Sequence, residues 1–392
     1  MKANRLVFKE LCHDFNSPEV TILLGARQVG KTYLLRELES YAQSLGKKTA
    51  YFNLELPSDL LQFKGSEEDL FRILTTSADI VFLDEFHYLK NASRIFKAVY
   101  DSGAKVKIFA SGSSSLEIHK HLKESLAGRR LVRKIFPLSL QEHHTNQLSF
   151  EKVLVDGTLP GLLHKSASGD RQAYLRDLLE TYVLKDIKSL IREENVKAFN
   201  HLLYLLAENQ GSVVSVAGLS RDIGMNAGTV EKYLTLLEQT YVCYSLPSFS
   251  GNLANELKKS RKYFFYDLGI RNAVVKNFEY DLEKRDDRGV LYESLVFLEL
   301  LQKVSPNTSL YFWRTRQQDE VDFVKVVNRK PVPVEVKSGW NKKILPDGLQ
   351  RFLGAYPRTS EAYVVSNVPT GEKMNYQHTT VQFLHWKDAG KI

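Results

Sequence analysis

The sequence predicts an α/β protein, and three observations carry that expectation. Up to about Phe136, short apolar bursts alternate with amphipathic stretches of helical period. A complete glycine-lysine-threonine loop, Gly25-Ala26-Arg27-Gln28-Val29-Gly30-Lys31-Thr32, joins the first burst to the first helical stretch. From near Arg288 a helix gives way to period-two patterning.

The bursts are Val20 to Leu24, Thr49 to Leu54, Ile80 to Asp84, Val106 to Ala110 and Arg130 to Phe136. Helical stretches such as Tyr33 to Ser44 and Ser93 to Asp101 lie between them, so the bursts read as a parallel sheet with crossover helices. Pro137 closes this block. From Tyr174 to about Glu238 the pattern is helical, with one stripe at Leu175, Leu178, Leu179, Tyr182 and Val183, and another at Leu202, Leu203, Leu205 and Leu206. Val216 to Glu238 has helix-turn-helix periodicity: Leu219 and Ile223 face Val230, Tyr233, Leu234 and Leu237 across a turn at Gly224. Asn226, Thr229 and Lys232 are its expected exposed positions, and none is an arginine able to grip a base edge. A winged helix serving as lid or packing module is therefore favoured over a DNA reader. Lys258 to Asp287 mixes charge with aromatics and takes no assignment. Next come a helix, Leu291 to Lys303, and two alternating runs, Val321 to Val327 and Val332 to Lys337, which read as a hairpin about Asn328-Arg329. The expected divisions are 1–137, 138–250 and 251–392.

Composition narrows the function classes. A chain of 392 residues implies two or three domains at about 150 residues each. With 43% hydrophobic and 26% charged residues it is a folding sequence, not a disordered one. No apolar run approaches the ~20 residues of a bilayer span, and Lys2, Arg5, Lys9, Glu10 and Asp14 break up any signal-peptide core. A cytoplasmic protein with no membrane partner is expected. Cys12 and Cys243 alone build neither a disulfide framework nor a multi-cysteine zinc site. The net charge of +8 permits DNA or another nucleic acid as partner without demonstrating one.

The loop carries specific chemistry. Its glycines let successive N–H groups point at phosphate oxygens, and the new helix adds its positive end. Lys31 is placed to reach the β- and γ-phosphates of ATP, Thr32 to ligate Mg2+, and Tyr33 follows in the first turn. Ile80-Val-Phe-Leu-Asp84-Glu85 supplies the acidic half: Asp84 for magnesium, Glu85 to orient or deprotonate the attacking water. Adjacent carboxylates with separate tasks imply hydrolysis. Val106 to Ala110 ends in Ser111-Gly-Ser113-Ser114, where a polar residue between γ-phosphate and catalytic acid is expected; Ser113 is preferred, Ser111 second. Arg129, or Arg130 beside it, could stabilise γ-phosphate charge in its own or an adjacent subunit, which would make the protein a homo-oligomer; a solvated surface arginine is the alternative.

The series Gly25 to Thr32, Phe82-Leu-Asp-Glu-Phe-His87, Ser111-Gly-Ser-Ser114, Leu126-Ala-Gly-Arg129 and Phe136-Pro-Leu-Ser139 resembles a widespread bacterial and archaeal group. These are AAA-type ATP-binding proteins related to the archaeal ATPases and STAND-like NTPases. The resemblance continues through Thr181 to Ile187, Phe265 to Arg271 and Val334-Glu-Val-Lys337. It implies a five-stranded parallel core, a winged-helix segment and a C-terminal α+β domain similar to restriction endonucleases. Ala26 departs from the group, which often has proline there.

The hairpin suggests a second site. With a two-residue turn, Asp322 falls opposite Glu335 as a non-hydrogen-bonded pair, and carboxylates that close need a cation such as magnesium between them. Lys337 shares the face of Glu335. With Glu293 on the preceding helix this resembles the Asp…Glu-x-Lys layout of the restriction-endonuclease-like superfamily, with Gln350 as accessory. In the same register Glu320 opposes Lys337, so an ordinary cross-strand ion pair explains part of the pattern. His119, His121, His143 and His144 lack the partners of a metal site and read as surface residues. Trp313, Arg314 and Arg316 suit either nucleic-acid contact or strand packing. The expected function is a Mg2+-dependent ATPase coupled to a nuclease-like domain. The alternatives are a slow nucleotide switch with an inactive C-terminal domain and an ATP-regulated DNA endonuclease.

Overall fold

The computed structural model describes residues 5–113, 126–144, 149–181, 195–250, 261–339 and 344–392. Ser114, His119, His121 and Tyr182 to Ile187 lie outside the described residues, as do the side chains of Ser113 and His144. The chain forms two compact units, Lys2–Pro137 with Gln239–Val242, and Leu138–Glu238 with Cys243–Ile392.

In the first unit the described elements run α1 (Val7–His13), β1 (Val20–Gly25), α2 (Lys31–Ser44), β2 (Thr49–Asn53), α3 (Pro57–Gln62), α4 (Glu67–Thr76), β3 (Ile80–Asp84), α5 (Ala92–Asp101), β4 (Lys107–Ser113) and β5 (Arg130–Lys134). The strands form one five-stranded sheet in the order β2-β3-β4-β1-β5, parallel throughout. The expected parallel core is therefore present, and β4 separates the loop-bearing β1 from the acidic β3. Burial follows position. Every residue of β1 and β3 is buried, whereas β2 and β5, at the two edges, are only partly covered. Leu34, Leu35 and Leu38 of α2 are fully buried. Phe82 and Phe109, register partners on β3 and β4, stack with centroids 5.5 Å apart.

The second unit continues with α6 (Leu140–His144), α7 (Phe150–Asp156), α8 (Ser168–Leu178), α9 (Val196–Glu208), β6 (Val213–Val214), α10 (Val216–Ile223), α11 (Ala227–Gln239), β7 (Cys243–Leu246), β8 (Arg261–Phe265), α12 (Leu268–Val275) and α13 (Arg288–Gln302). It closes with β9 (Thr308–Arg314), β10 (Glu320–Val327), β11 (Lys330–Val336), α14 (Asp347–Ala355), β12 (Glu361–Ser366), β13 (Lys373–Tyr376) and β14 (Thr379–His385). Two sheets result, a three-stranded one ordered β6-β8-β7 and a six-stranded mixed one ordered β13-β14-β12-β11-β10-β9. The six-stranded sheet is covered on both faces. Leu295, Val296 and Phe297 of α13 pack on Phe323, Val334 and Val336, while Leu349, Phe352 and Leu353 of α14 pack on Val321, Val324 and Val364.

The division expected at 250 and 251 does not separate compact units, because β7 and β8 lie on either side of it and pair in one sheet. Between α10 and α11 the chain turns at Gly224 with φ 68°, the left-handed value glycine allows. Asn226 is exposed, as expected, and its Oδ1 accepts from Thr229 N–H at 2.8 Å, capping α11. His143 is buried rather than on the surface. Trp313 is buried as well, edge-on to Phe352 with centroids 5.3 Å apart, which is strand packing.

A buried polar hub joins α7, α8 and α12. Asp267 accepts from Thr158 N–H at 2.7 Å and Ile270 N–H at 3.2 Å, and Arg171 pairs with Asp156 at 2.9 Å.

Candidate functional site

The loop between β1 and α2 is built on two close approaches. A Cβ on Gly25 would stand 2.2 Å from the Ile135 carbonyl oxygen, so only glycine fits there. Gln28 and Gly30 both take positive φ, 64° and 91°, which curls the backbone before α2 begins with no side-chain cap and no acidic residue in its first turn. Those first N–H groups are the donors a helix leaves for an anion. Lys31 is buried and donates to the carbonyls of Gly25 at 2.9 Å and Ala26 at 2.8 Å. Burial lowers its ammonium to about 8, against the upward pull of Glu85 and Asp84. Thr32 is exposed beside it.

Asp84 ends β3 and is 1% exposed. Tyr51 donates to its Oδ2 at 3.0 Å, and Ser111 donates to its Oδ1. Ser111 also accepts from Glu85 N–H at 3.2 Å, so the hydroxyl joins both acidic residues. The serine between the motifs is thus Ser111 in its contacts with the acids. Ser113 lies opposite Gly25 in the β1–β4 register. Glu85 stands at φ 53°, the left-handed region where a non-glycine residue is strained. Its Oε2 lies 3.1 Å from His87 Nδ1.

Arg129 requires a correction. Its carbonyl accepts from Val20 N–H at the start of β1, and its Nε pairs with Asp101 at 2.6 Å. Phosphate loop and acids sit at the opposite, C-terminal ends of the same parallel strands. At about 3.3 Å per residue the strand length separates them, so neither Arg129 nor Arg130 serves the loop of its own chain.

Two contributors escaped the sequence reading. Arg5, buried, donates to the Val29 carbonyl at 2.7 Å and the Phe136 carbonyl at 2.7 Å, tying the loop to the exit of β5. Tyr51 is the other, and a partly buried aromatic on an edge strand gives no motif to find it by.

The second cluster lies where β10, β11, α13 and β8 meet. The hairpin turns through Asn328 and Arg329, both at positive φ (50° and 66°), and its register runs from Val327↔Lys330 to Phe323↔Val334, ending one residue before Asp322 and Glu335. Asp322 Oδ2 accepts from Val336 N–H at 2.8 Å. Glu335 is buried, pairs with Lys337 through Oε1 at 2.7 Å, and has no hydrogen-bond partner for Oε2. Lys262, 1% exposed, bridges Glu293 at 2.9 Å and Glu320 at 2.6 Å.

Burial, then Asp322, raises Glu335 to about 8, against Lys337. Burial raises Glu293 to about 7, with Lys262 opposing and Asp322 adding. Burial also raises Asp322. For Lys262 burial acts downward, but Glu293, Asp322 and Glu320 outweigh it and raise the ammonium.

Three expectations change here. Glu320 pairs with Lys262 and with Arg314, its register partner on β9, not with Lys337, and the β10–β11 pairing ends at Phe323↔Val334 before reaching it. Gln350 does not join the carboxylates: its Nε2 donates to the Leu345 carbonyl at 2.8 Å. The cations between the acids are lysines, and among the described residues no group of three or more His, Cys, Asp or Glu could hold a metal ion.

Comparison with known proteins fits this geometry. Residues 17–144 match the family model described as an AAA domain. The loop-bearing parallel sheet and this match agree on a segment similar to AAA-type P-loop domains. Residues 147–281 and 288–386 match two models described as domains of unknown function, DUF8612 and DUF4143. An uncharacterized protein of Mycobacterium bovis is 23% identical over 320 residues, covering 81% of this chain and 70% of the relative. Another, of Haemophilus influenzae, is 25% identical over 308 residues, covering 72% of this chain and 74% of the relative. Among solved structures, AMPPCP-bound DnaA from Aquifex aeolicus is 16% identical over 61% of this chain and 89% of its own, with a TM-score of 0.29. No helix among the described residues is long and apolar enough to cross a membrane.

Proposed function

We propose that the first unit binds ATP with Mg2+ and hydrolyses it, and that turnover rearranges the second unit. The observation that carries the reading is the convergence of Lys31, Asp84, Glu85 and Ser111 at the C-terminal edge of one parallel sheet. In this reading the amides of Arg27 to Thr32 bind the triphosphate, with Gly25 and Ala26 shaping the turn and Tyr33 continuing it. Lys31 exchanges its loop carbonyls for phosphate oxygens. The donor set fits magnesium: Asp84 is a buried carboxylate oriented by two hydroxyls, and Thr32 offers an exposed hydroxyl in the adjoining first turn. Thr32 and Asp84 would hold the ion, which when bound neutralises charge on the phosphates. Glu85 takes the proton of the attacking water, and Ser111 holds both acids in register.

The test is calorimetry with Mg-ATP beside steady-state turnover. Lys31→Ala should remove the binding heat, and Glu85→Gln should keep it while hydrolysis stops. Unchanged hydrolysis in both variants overturns the reading.

The second unit supports a further reading. Three helices, α9 to α11, with the β6-β8-β7 sheet favour a winged-helix segment used for packing. Glu293, Asp322, Glu335 and Lys337 around a mixed sheet favour a restriction-endonuclease-like domain, with DNA as the partner its chemistry would select. Magnesium- or manganese-dependent DNA cleavage that disappears in Asp322→Ala would establish an ATP-regulated endonuclease. Equal cutting by that variant would leave a nucleotide switch with an inactive C-terminal domain. A role for Arg129 would require a second copy of the chain, so Arg129→Ala should lower turnover only where the protein self-associates.

A further inference from the structure

The backbone of Glu85 is fixed twice. Ser111 accepts its N–H at 3.2 Å, and its φ of 53° lies in a narrow well that few non-glycine residues occupy. Neither constraint reaches the carboxylate, which stands two methylene groups out from Cα. A glutamate that takes the proton of one water needs that carboxylate placed as well, because a misaimed base loses much of its effect. His87 comes to it from the same loop, with Nδ1 3.1 Å from Glu85 Oε2. The nitrogen is buried, and no group meets it at hydrogen-bond angles. Distance already suffices and only alignment is missing, so a rotation of the Glu85 side chain completes the bond.

The local fold explains the approach. Glu85, left-handed, turns the chain from β3 into a single 3-10 turn, Phe86–Tyr88, and residues 85 and 87 meet on one side of it. Both flanks of that turn are anchored. Phe86 is buried against Phe96, with centroids 5.7 Å apart, and Leu89 is buried beyond it. The imidazole lies against the Tyr88 ring, 4.4 Å between centroids. The competing partner for the carboxylate is Lys31. Burial lowers that ammonium, and of the charges opposing the shift Glu85 comes first, ahead of Asp84; yet Lys31 donates to the carbonyls of Gly25 and Ala26. A carboxylate drawn onto Lys31 would be a weaker base and would compete with phosphate for the lysine.

We infer that His87 is the positioning residue of Glu85: its Nδ1–H holds Oε2, turns Oε1 toward the attacking water and keeps the carboxylate off Lys31. The inference rests on the reading of Glu85 as the base and adds the group that aims it. In the step itself the water oxygen bonds to the γ-phosphorus as its proton passes to Oε1 and the bridge to ADP breaks. His87 keeps its own hydrogen throughout.

The experiment compares His87→Leu with His87→Asn in the full chain. The two side chains are close in shape, but only asparagine carries a donor, near the place of Nδ1. His87→Leu should lower kcat for ATP by about ten- to a hundredfold, the scale of one hydrogen bond to a charged group. KM and the heat of Mg-ATP binding should not change, and His87→Asn should recover most of the rate. Adding His87→Leu to Glu85→Gln should slow the residual turnover no further, since the residue acts through the carboxylate. If His87→Leu fails to fold, His87→Phe keeps a ring against Tyr88 without a donor and carries the same expectation. Equal rates for the donor and donor-free variants, both parental or both slow, would overturn the role of His87 while Glu85→Gln still stops hydrolysis. A raised KM at parental kcat would overturn it too. Full hydrolysis by Glu85→Gln would instead remove the base, and this inference with it.

Discussion

The Tyr51 hydroxyl donates to Oδ2 of Asp84 at 3.0 Å, from the strand next to the one that carries the acid. With Ser111 on Oδ1, both carboxylate oxygens are oriented before any metal arrives, and the Arg36 guanidinium carbon stands over the Tyr51 ring, 3.3 Å from its centroid. Burial, and then the charge of Asp84, push the phenol above its ordinary range, so it remains a donor through neutral pH.

Tyr51→Phe should therefore raise the magnesium concentration needed for half-maximal ATPase rate by about three- to tenfold, the scale of one lost charge-assisted hydrogen bond. The rate at saturating magnesium should change little. Ser111→Ala should also lower the saturated rate, because the same hydroxyl holds the Glu85 N–H. A magnesium titration of each variant checks the split; identical shifts in both would show that Ser111 does no more than Tyr51.

Arg5 gives the second prediction. Its guanidinium spans 131 residues of sequence to join the Val29 and Phe136 carbonyls. Arg5→Ala removes that donor from two carbonyls and should destabilise the first unit by about 2–4 kcal/mol. The affinity for Mg-ATP should fall with it, since the loop loses an anchor. Denaturant melts and calorimetry on one preparation test both; a normal affinity in a destabilised variant would show that the tie serves folding alone.

Contiguous features were legible in the sequence and contacts across the fold were not. The phosphate loop was readable because strand, turn and helix follow one another within Val20 to Ser44. The hairpin register was equally readable as far as Phe323↔Val334, because a two-residue turn at Asn328-Arg329 fixes it. Only the own-chain role of Arg129 fails, and by order alone: a residue that precedes a parallel strand lies at the end away from the loop, and the strand pattern already contained that signal. Lys262 was not readable. Its partners are 31 residues away at Glu293 and farther at Glu320, on elements whose juxtaposition depends on how two sheets pack. Nor does an alternating pattern reveal that Glu320 lies opposite Arg314 on β9 and pairs with Lys262.

A third prediction concerns the buried hub. Gly269 lies in the first turn of α12, and a Cβ there would stand 1.9 Å from the Asp156 carbonyl oxygen, which belongs to α7 and cannot swing aside as a long side chain would. Gly269→Ala should cost about 3 kcal/mol or prevent folding of the second unit. Gly169, with nothing within 4 Å of the same added atom, is the control, and Gly169→Ala should melt with the parent. Equal melts for both variants would mean that α7 and α12 tolerate separation.

The pH dependence of stability supplies the last prediction. Glu299 of α13 is buried and accepts the Leu140 N–H at 2.8 Å through Oε1. Burial raises its carboxyl to about 7 from an ordinary 4.5, the Leu140 N–H opposing and the charge of Glu142 adding. The folded chain therefore holds a proton there that the unfolded chain releases near pH 4.5. The stability this proton confers is fully present below 4.5 and is lost as pH rises through about 7. Glu299→Gln keeps an acceptor for Leu140 and never ionises, so its advantage over the parent should grow between pH 5 and pH 8 by on the order of 2 kcal/mol. Glu293 and Glu335 titrate in the same window, but both chains carry them, so subtracting one melting series from the other isolates Glu299. Parallel curves across that range would mean that Glu299 is already ionised in the folded protein, and Lys303, its other charged neighbour, would then be the residue to remove next.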